Sequence, residues 1–128
     1  MMEQNHPTFF ITFWAIVKIG AIPSLINTNL SEDALLHCLA ITNASIFLFD
    51  PIYESQVATI VDRVHEAGME LFAYGESTEF NNATTSSLAR TLTPNVLSNY
   101  PDKDTDERLI RGVKLSEPGI LIYTRYKV

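Results

Sequence analysis

The sequence has 128 residues, of which 46% are hydrophobic and 19% charged, and its formal net charge is −6. That is one small domain by length, with enough apolar residues for a core and no signature of a disordered chain. The acidic balance, without a basic block, excludes nucleic acid as an expected partner, and a lone cysteine, Cys38, excludes an internal disulfide or a cysteine-built metal site.

The opening MMEQNHP lacks the basic leader of a secretory signal. Asn5 or His6 can cap a first helix, with Pro7 tolerated in its first turn. Thr8–Ile19 is apolar nearly all the way round, so the pattern predicts a helix buried on several sides, with Phe9, Phe10, Phe13 and Trp14 in a core. Gly20 is a stop signal. The apolar run Phe9–Ile26 is divided at Gly20 and Pro23, and a span needs roughly 20 unbroken residues, so no membrane span is expected.

A short strand is predicted over Ala21–Ile26, followed by a turn and a well-signalled helix from Glu32 to about Thr42. Ser31 has the character of an N-cap, whose hydroxyl accepts from N–H groups of the first turn. Glu32 and Asp33 suit the positive end of the helix dipole, and Leu30 and Leu35 have the spacing of a hydrophobic staple. Leu35, Leu36 and Leu39 give the helix an inward stripe.

Ser45–Phe49 reads as a buried strand. Asp50-Pro51 then opens a third helix, with Asp50 as cap and Val57, Ile60, Val61 and Val64 on one face. Gly68 ends it, and Met69–Tyr74 is the next strand. From Gly75 the chain turns rich in Ser, Thr and Asn; a polar surface loop is expected over about residues 75–106, with room for a helical turn near Ser87–Thr91. Gly119–Thr124 is the last predicted strand. Alternating strands and helices imply an α/β fold: a parallel, doubly wound sheet with right-handed crossovers and helices on both faces.

Two stretches carry a resemblance. Asn27-Thr28-Asn29-Leu30 followed by Leu35-Leu36-His37-Cys38 resembles the early part of fatty acid transport proteins, the very-long-chain acyl-CoA synthetase branch of the adenylate-forming superfamily. Pro118–Thr124, PGILIYT, resembles the strand that leads into that superfamily's phosphate loop. The resemblance covers nearly the whole chain but only a slice of the family's large N-terminal domain, so residues 1–128 are expected to be part of such a domain. It implies a parent activity in which ATP and a long-chain fatty acid give an acyl-adenylate that CoA captures, with magnesium as cofactor. The parent family sits peripherally or integrally at the endoplasmic reticulum, peroxisome, lipid droplet or plasma membrane, and the resemblance assigns this chain to none of them.

In the family, Tyr-Thr opens a Ser/Gly/Thr-rich loop whose small residues let backbone N–H groups and hydroxyls reach phosphates. Tyr123 and Thr124 match that opening and are the cofactor-binding candidates. Arg125, Tyr126, Lys127 and Val128 then stand where the loop is expected. The elements the family uses afterwards, and a strand ahead of Met2, have no counterpart in the sequence. The chain is therefore expected to be a fragment that binds no cofactor and lacks activity by itself. Its unpaired strand edges would favour self-association.

The remaining candidates have bland readings. His37 and Cys38 are adjacent on a helix and point apart; His6 and His65 are isolated. Asp50 resembles the ribose-binding acid of dinucleotide folds, but Ile26-Asn27-Thr28-Asn29 offers no glycine-rich turn, so it reads as a cap. No catalytic or metal residue is assigned. The alternative function is a non-catalytic α/β interaction module. A small flavodoxin-like nucleotide or flavin binder is disfavoured, since no phosphate turn follows either early strand.

Overall fold

The computed structural model describes residues 1–74, 88–114 and 116–123. Its elements are α1 (Pro7–Lys18), β1 (Ser24–Leu25), α2 (Glu32–Thr42), β2 (Ile46–Phe49), α3 (Glu54–Ala58), α4 (Val61–Glu66), β3 (Glu70–Ala73), β4 (Arg90–Thr91), α5 (Pro94–Leu97) and β5 (Leu121–Ile122). Short 3-10 turns cover Pro51–Tyr53 and Glu107–Leu109. Within the polar stretch a strand stands at Arg90–Thr91, where the sequence suggests a helical turn, and the turn lies later, at Pro94–Leu97; residues 75–87 lie outside the described residues.

The strands are parallel. β2, β3 and β4 lie side by side, with Ile46 opposite Glu70 and Phe72 opposite Arg90, and β5 pairs with β1 through Ser24 and Leu121. Met1 and Met2 join the two groups. The Met2 N–H donates to the Leu48 carbonyl and the Asp50 N–H donates to the Met2 carbonyl, both at 2.9 Å. On the other side the Met1 ammonium donates to the Ser24 carbonyl, and the Ile26 N–H donates to the Met1 carbonyl at 2.9 Å. This is the evenly slanted bonding of parallel strands. The sheet therefore runs β5, β1, Met1–Met2, β2, β3, β4. The chain leaves the middle toward β1, then crosses back to β2. Right-handed crossovers place α1 on one face and α2, α3 and α4 on the other.

The core lies on the second face. Phe47, Phe49, Leu71 and Ala73 alternate inward from β2 and β3 onto Leu35 and Leu39 of α2, Val57 of α3, Ile60, and Val64 of α4. Burying a large apolar side chain contributes about 1.5–3 kcal/mol, so this cluster is the main source of stability. The first face is thinly covered. α1 buries only Thr8 and Thr12 fully, Phe9 and Phe13 are half-buried, and Trp14 is 63% exposed. The expectation of a helix buried on several sides fails because among the described residues nothing packs on its outer flank, where Phe10 and Ile11 also stand open.

Helix boundaries follow local chemistry. His6, of the two candidate caps, is the N-cap of α1: its ring accepts from the Thr8 N–H at 3.4 Å, and Pro7 takes the first helical position. α1 closes in a Schellman turn, with the Gly20 N–H on the Val17 carbonyl and the Ala21 N–H on the Ile16 carbonyl. Gly20 has φ +76°, and a Cβ there would stand 2.3 Å from the Leu109 carbonyl oxygen, so only glycine fits. Gly68, at φ +74°, closes α4 in the same manner.

Two helix expectations change. Ser31 is the N-cap of α2 by position, and its carbonyl accepts from the Leu35 N–H at 2.8 Å, but its hydroxyl makes no capping bond. The turn ahead is fixed instead by Asn27, whose side-chain oxygen accepts from the Asn29 N–H at 2.9 Å. The helix predicted after Asp50 is broken into a 3-10 turn, α3 and α4. The Thr59 hydroxyl donates back to the Gln56 carbonyl at 2.7 Å, a bond that bends helices. The inward face survives the break, with Val57, Ile60 and Val64 all buried.

Candidate functional site

In an open parallel sheet, the crevice beyond the carboxyl ends of the strands, where the winding reverses, is the natural binding position. Here it lies between Met1–Met2 and β2. The first residue past Met2 is Glu3, and the first past β2 is Asp50. Both are buried carboxyls, Glu3 at 8% and Asp50 at 7% exposure. The N-terminal turn of α1 adds His6, Thr8 and Thr12 to the same corner.

Each group has a definable state. Asp50 caps the turn at Pro51, its Oδ1 accepting from the Ile52 N–H at 3.1 Å. Burial pushes its carboxyl up, against the pull of that N–H and of nearby His6. The His6 Nδ1 lies 3.0 Å from the Thr8 hydroxyl. The Thr12 hydroxyl donates to the Thr8 carbonyl at 2.9 Å, a bond internal to α1. Glu3 has neither carboxyl oxygen in a hydrogen bond. Burial pushes it up to about 7; the Thr12 hydroxyl and the Met1 ammonium oppose this, and Asp50 reinforces it. The Met1 ammonium is itself lowered to about 6 by burial, offset in part by Glu3.

The corner is thus two acidic groups crowded in a poorly hydrated place, one of them half-protonated near neutrality. It can hold and release a proton. No lysine or arginine is among the described residues that form the corner. Among the described residues no group of three or more His, Cys, Asp and Glu side chains is placed to hold a metal ion.

The sequence candidates sit elsewhere. Tyr123 follows β5 and packs half-buried against the core, with its hydroxyl accepting from the Ser24 hydroxyl at 3.1 Å. It makes no hydrogen bond to Glu3 or Asp50. Thr124 lies outside the described residues. His37 is exposed on α2, and Cys38 is half-buried against the core with its thiol pushed up by burial. Asp50 is the cap the sequence indicated. Glu3 is the residue that sequence reasoning missed. The available signal was its place just past an incomplete central strand, level with an acid that ends the neighbouring strand.

No family profile matches the chain, and no solved structure does. Curated proteins do. The chain is 30% identical over 98 residues to isopenicillin N epimerase component 1 of Hapsidospora chrysogena, covering 76% of this chain and 15% of that protein. It is 28% identical over 90 residues to the olefin beta-lactone synthetase of Stenotrophomonas maltophilia (strain K279a), covering 70% of this chain and 16% of that protein. The aligned part therefore spans about a sixth or less of each relative's length. These similarities support the adenylate-forming, ligase-type superfamily for this chain, and do not single out its fatty acid transport branch.

Proposed function

We propose that the chain is a non-catalytic slice of the large α/β domain of a fatty acid–CoA ligase of the adenylate-forming superfamily. The observation that carries this is the 30% identity over 98 residues to a much longer relative, 15% of which is covered, with the strand–turn–helix of Pro23–Leu39 in place. In this reading the parent enzyme uses ATP, magnesium, a long-chain fatty acid and CoA. This chain contributes the sheet edge and the helix layer behind it. Tyr123 and Thr124 are the beginning of a phosphate loop whose small residues are replaced by Arg125, Tyr126 and Lys127. The carboxyl-end crevice gives no substitute, because its side chains are acidic. Phosphoryl chemistry depends on positioned donors and cations, and neither is assembled among the described residues.

The test is direct. Purified protein incubated with ATP, magnesium, palmitate and CoA should form no acyl-CoA above a no-enzyme control. Acyl-CoA formation that depends on both protein and palmitate would refute the proposal.

A further inference from the structure

One buried acid has nothing to hold its charge. Glu3 stands at the carboxyl-end crevice, 8% exposed, and neither of its carboxyl oxygens has a hydrogen-bond partner among the described residues. Asp50, at the end of β2, faces it as a second buried acid. Thr12 of α1 faces it too, but that hydroxyl proton is engaged by the Thr8 carbonyl at 2.9 Å. The Met1 ammonium also faces it and donates to the Ser24 carbonyl. His6, from the first turn of α1, acts on Asp50. A neutral carboxyl is tolerated in such a place, whereas a carboxylate short of donors is strongly disfavoured.

We propose that α1 is a proton-controlled flap over the crevice: its N-terminal half lies on the sheet while Glu3 is neutral and lifts, pivoting at Gly20, when Glu3 ionises. The strands beside Glu3 are held by backbone bonds between Met2 and the Leu48 and Asp50 positions, so they do not yield. The helix does. Thr8 and Thr12 are the residues it buries fully, and both lie in its N-terminal half. That end joins the sheet through Gln4, Asn5 and His6, all exposed. The other end is pinned, because the Leu109 carbonyl lies close against Gly20. Lifting uncovers the two threonines and the inner sides of Phe9 and Phe13, already half-buried, and lets water reach the carboxylate. An opening that small lies well below global unfolding in free energy. Burial holds the docked Glu3 carboxyl at about 7, against 4.5 when exposed, so docking weakens as pH rises from 6 to 8. The lifted state presents the carboxylates of Glu3 and Asp50 to solvent at the crevice.

Residue-resolved amide hydrogen exchange by NMR, on the full chain and on Glu3→Gln at pH 6 and pH 8, tests this. Exchange rates divided by the intrinsic rates give opening constants. Met1, His6 and Asp50 titrate in both proteins, so the ratio of original to variant isolates Glu3. The amides of Ile11–Trp14 should open more readily than those of β2 and β3. Their original-to-variant ratio should rise about tenfold from pH 6 to pH 8. The amides of Ile16–Lys18, near the pivot, should show a smaller rise. In the original protein the Glu3 side-chain carboxyl carbon should titrate well above 4.5, a readout that needs no variant to fold. The proposal is overturned if Ile11–Trp14 open no more readily than β2 and β3, if their ratio stays flat with pH, if Ile16–Lys18 respond as strongly, or if the Glu3 carbon titrates near 4.5.

Discussion

Met1 and Glu3 titrate in opposite senses, and both do so near neutral pH. Glu3 has its folded pKa raised from 4.5 to about 7, so the folded state holds a proton the unfolded chain has released. Its contribution to stability is complete below pH 4.5 and is lost as pH rises through 7. By linkage the limit is about 3 kcal/mol, and less to the extent that water screens the group. The Met1 amine has its folded pKa lowered from 8.0 to about 6, so unfolding takes up a proton between those values and stability rises with pH there. The sum is a stability that falls from pH 4.5 to 6, changes little to pH 7, and rises to pH 8. Burial raises Asp50 as well, which adds to the fall in the same sense; urea midpoints across that range check the profile, and Glu3→Gln should make the falling limb shallower while keeping the rise. A profile for Glu3→Gln that falls between pH 4.5 and 6 as steeply as the original would show that Glu3 does not contribute to it.

Turns decide where the elements stop, and two glycine and serine positions separate what a residue type suggests from what its side chain does. Gly20→Ala must hold a left-handed conformation, which costs about 1–2 kcal/mol, and must also displace the Leu109 carbonyl. A loss of about 2 kcal/mol or more is expected from urea unfolding. Ser31→Ala should change stability by less than about 0.5 kcal/mol, because the hydroxyl is exposed and unbonded; a loss near 1 kcal/mol would mean that it caps the helix after all. The sequence showed the strand–helix order, the Schellman glycines and the inward stripe of α2, since each rests on local periodicity or a φ that only glycine takes easily. It did not show the break at Thr59, which depends on one hydroxyl choosing a backbone carbonyl over solvent. Nor did it show β4, where Arg90 and Thr91 owe their extended form to the neighbouring Phe72 and Ala73. Glu3 was hidden for the same reason: its burial comes from α1 and Asp50 folding over it, and no local pattern encodes that.

Across the whole molecule, one sheet face is well packed and the other is not. Phe10, Ile11 and Trp14 form an exposed apolar flank on α1, and β4 and β5 are each paired on one side only among the described residues. Large apolar patches and open edges promote association, so light scattering after size exclusion should show mass rising with concentration, and Trp14→Lys should reduce it. A monodisperse monomer with a single sharp urea transition would favour the interaction-module reading instead. No helix among the described residues is long and apolar enough to cross a membrane. The same architecture places Glu3 and Asp50 at the crevice where a nucleotide would be expected, with acidic side chains in place of a phosphate cradle. Titration calorimetry with MgATP, on protein shown to be folded by circular dichroism, tests that most directly. The account predicts no saturable heat at millimolar nucleotide; stoichiometric binding in the micromolar range would contradict it.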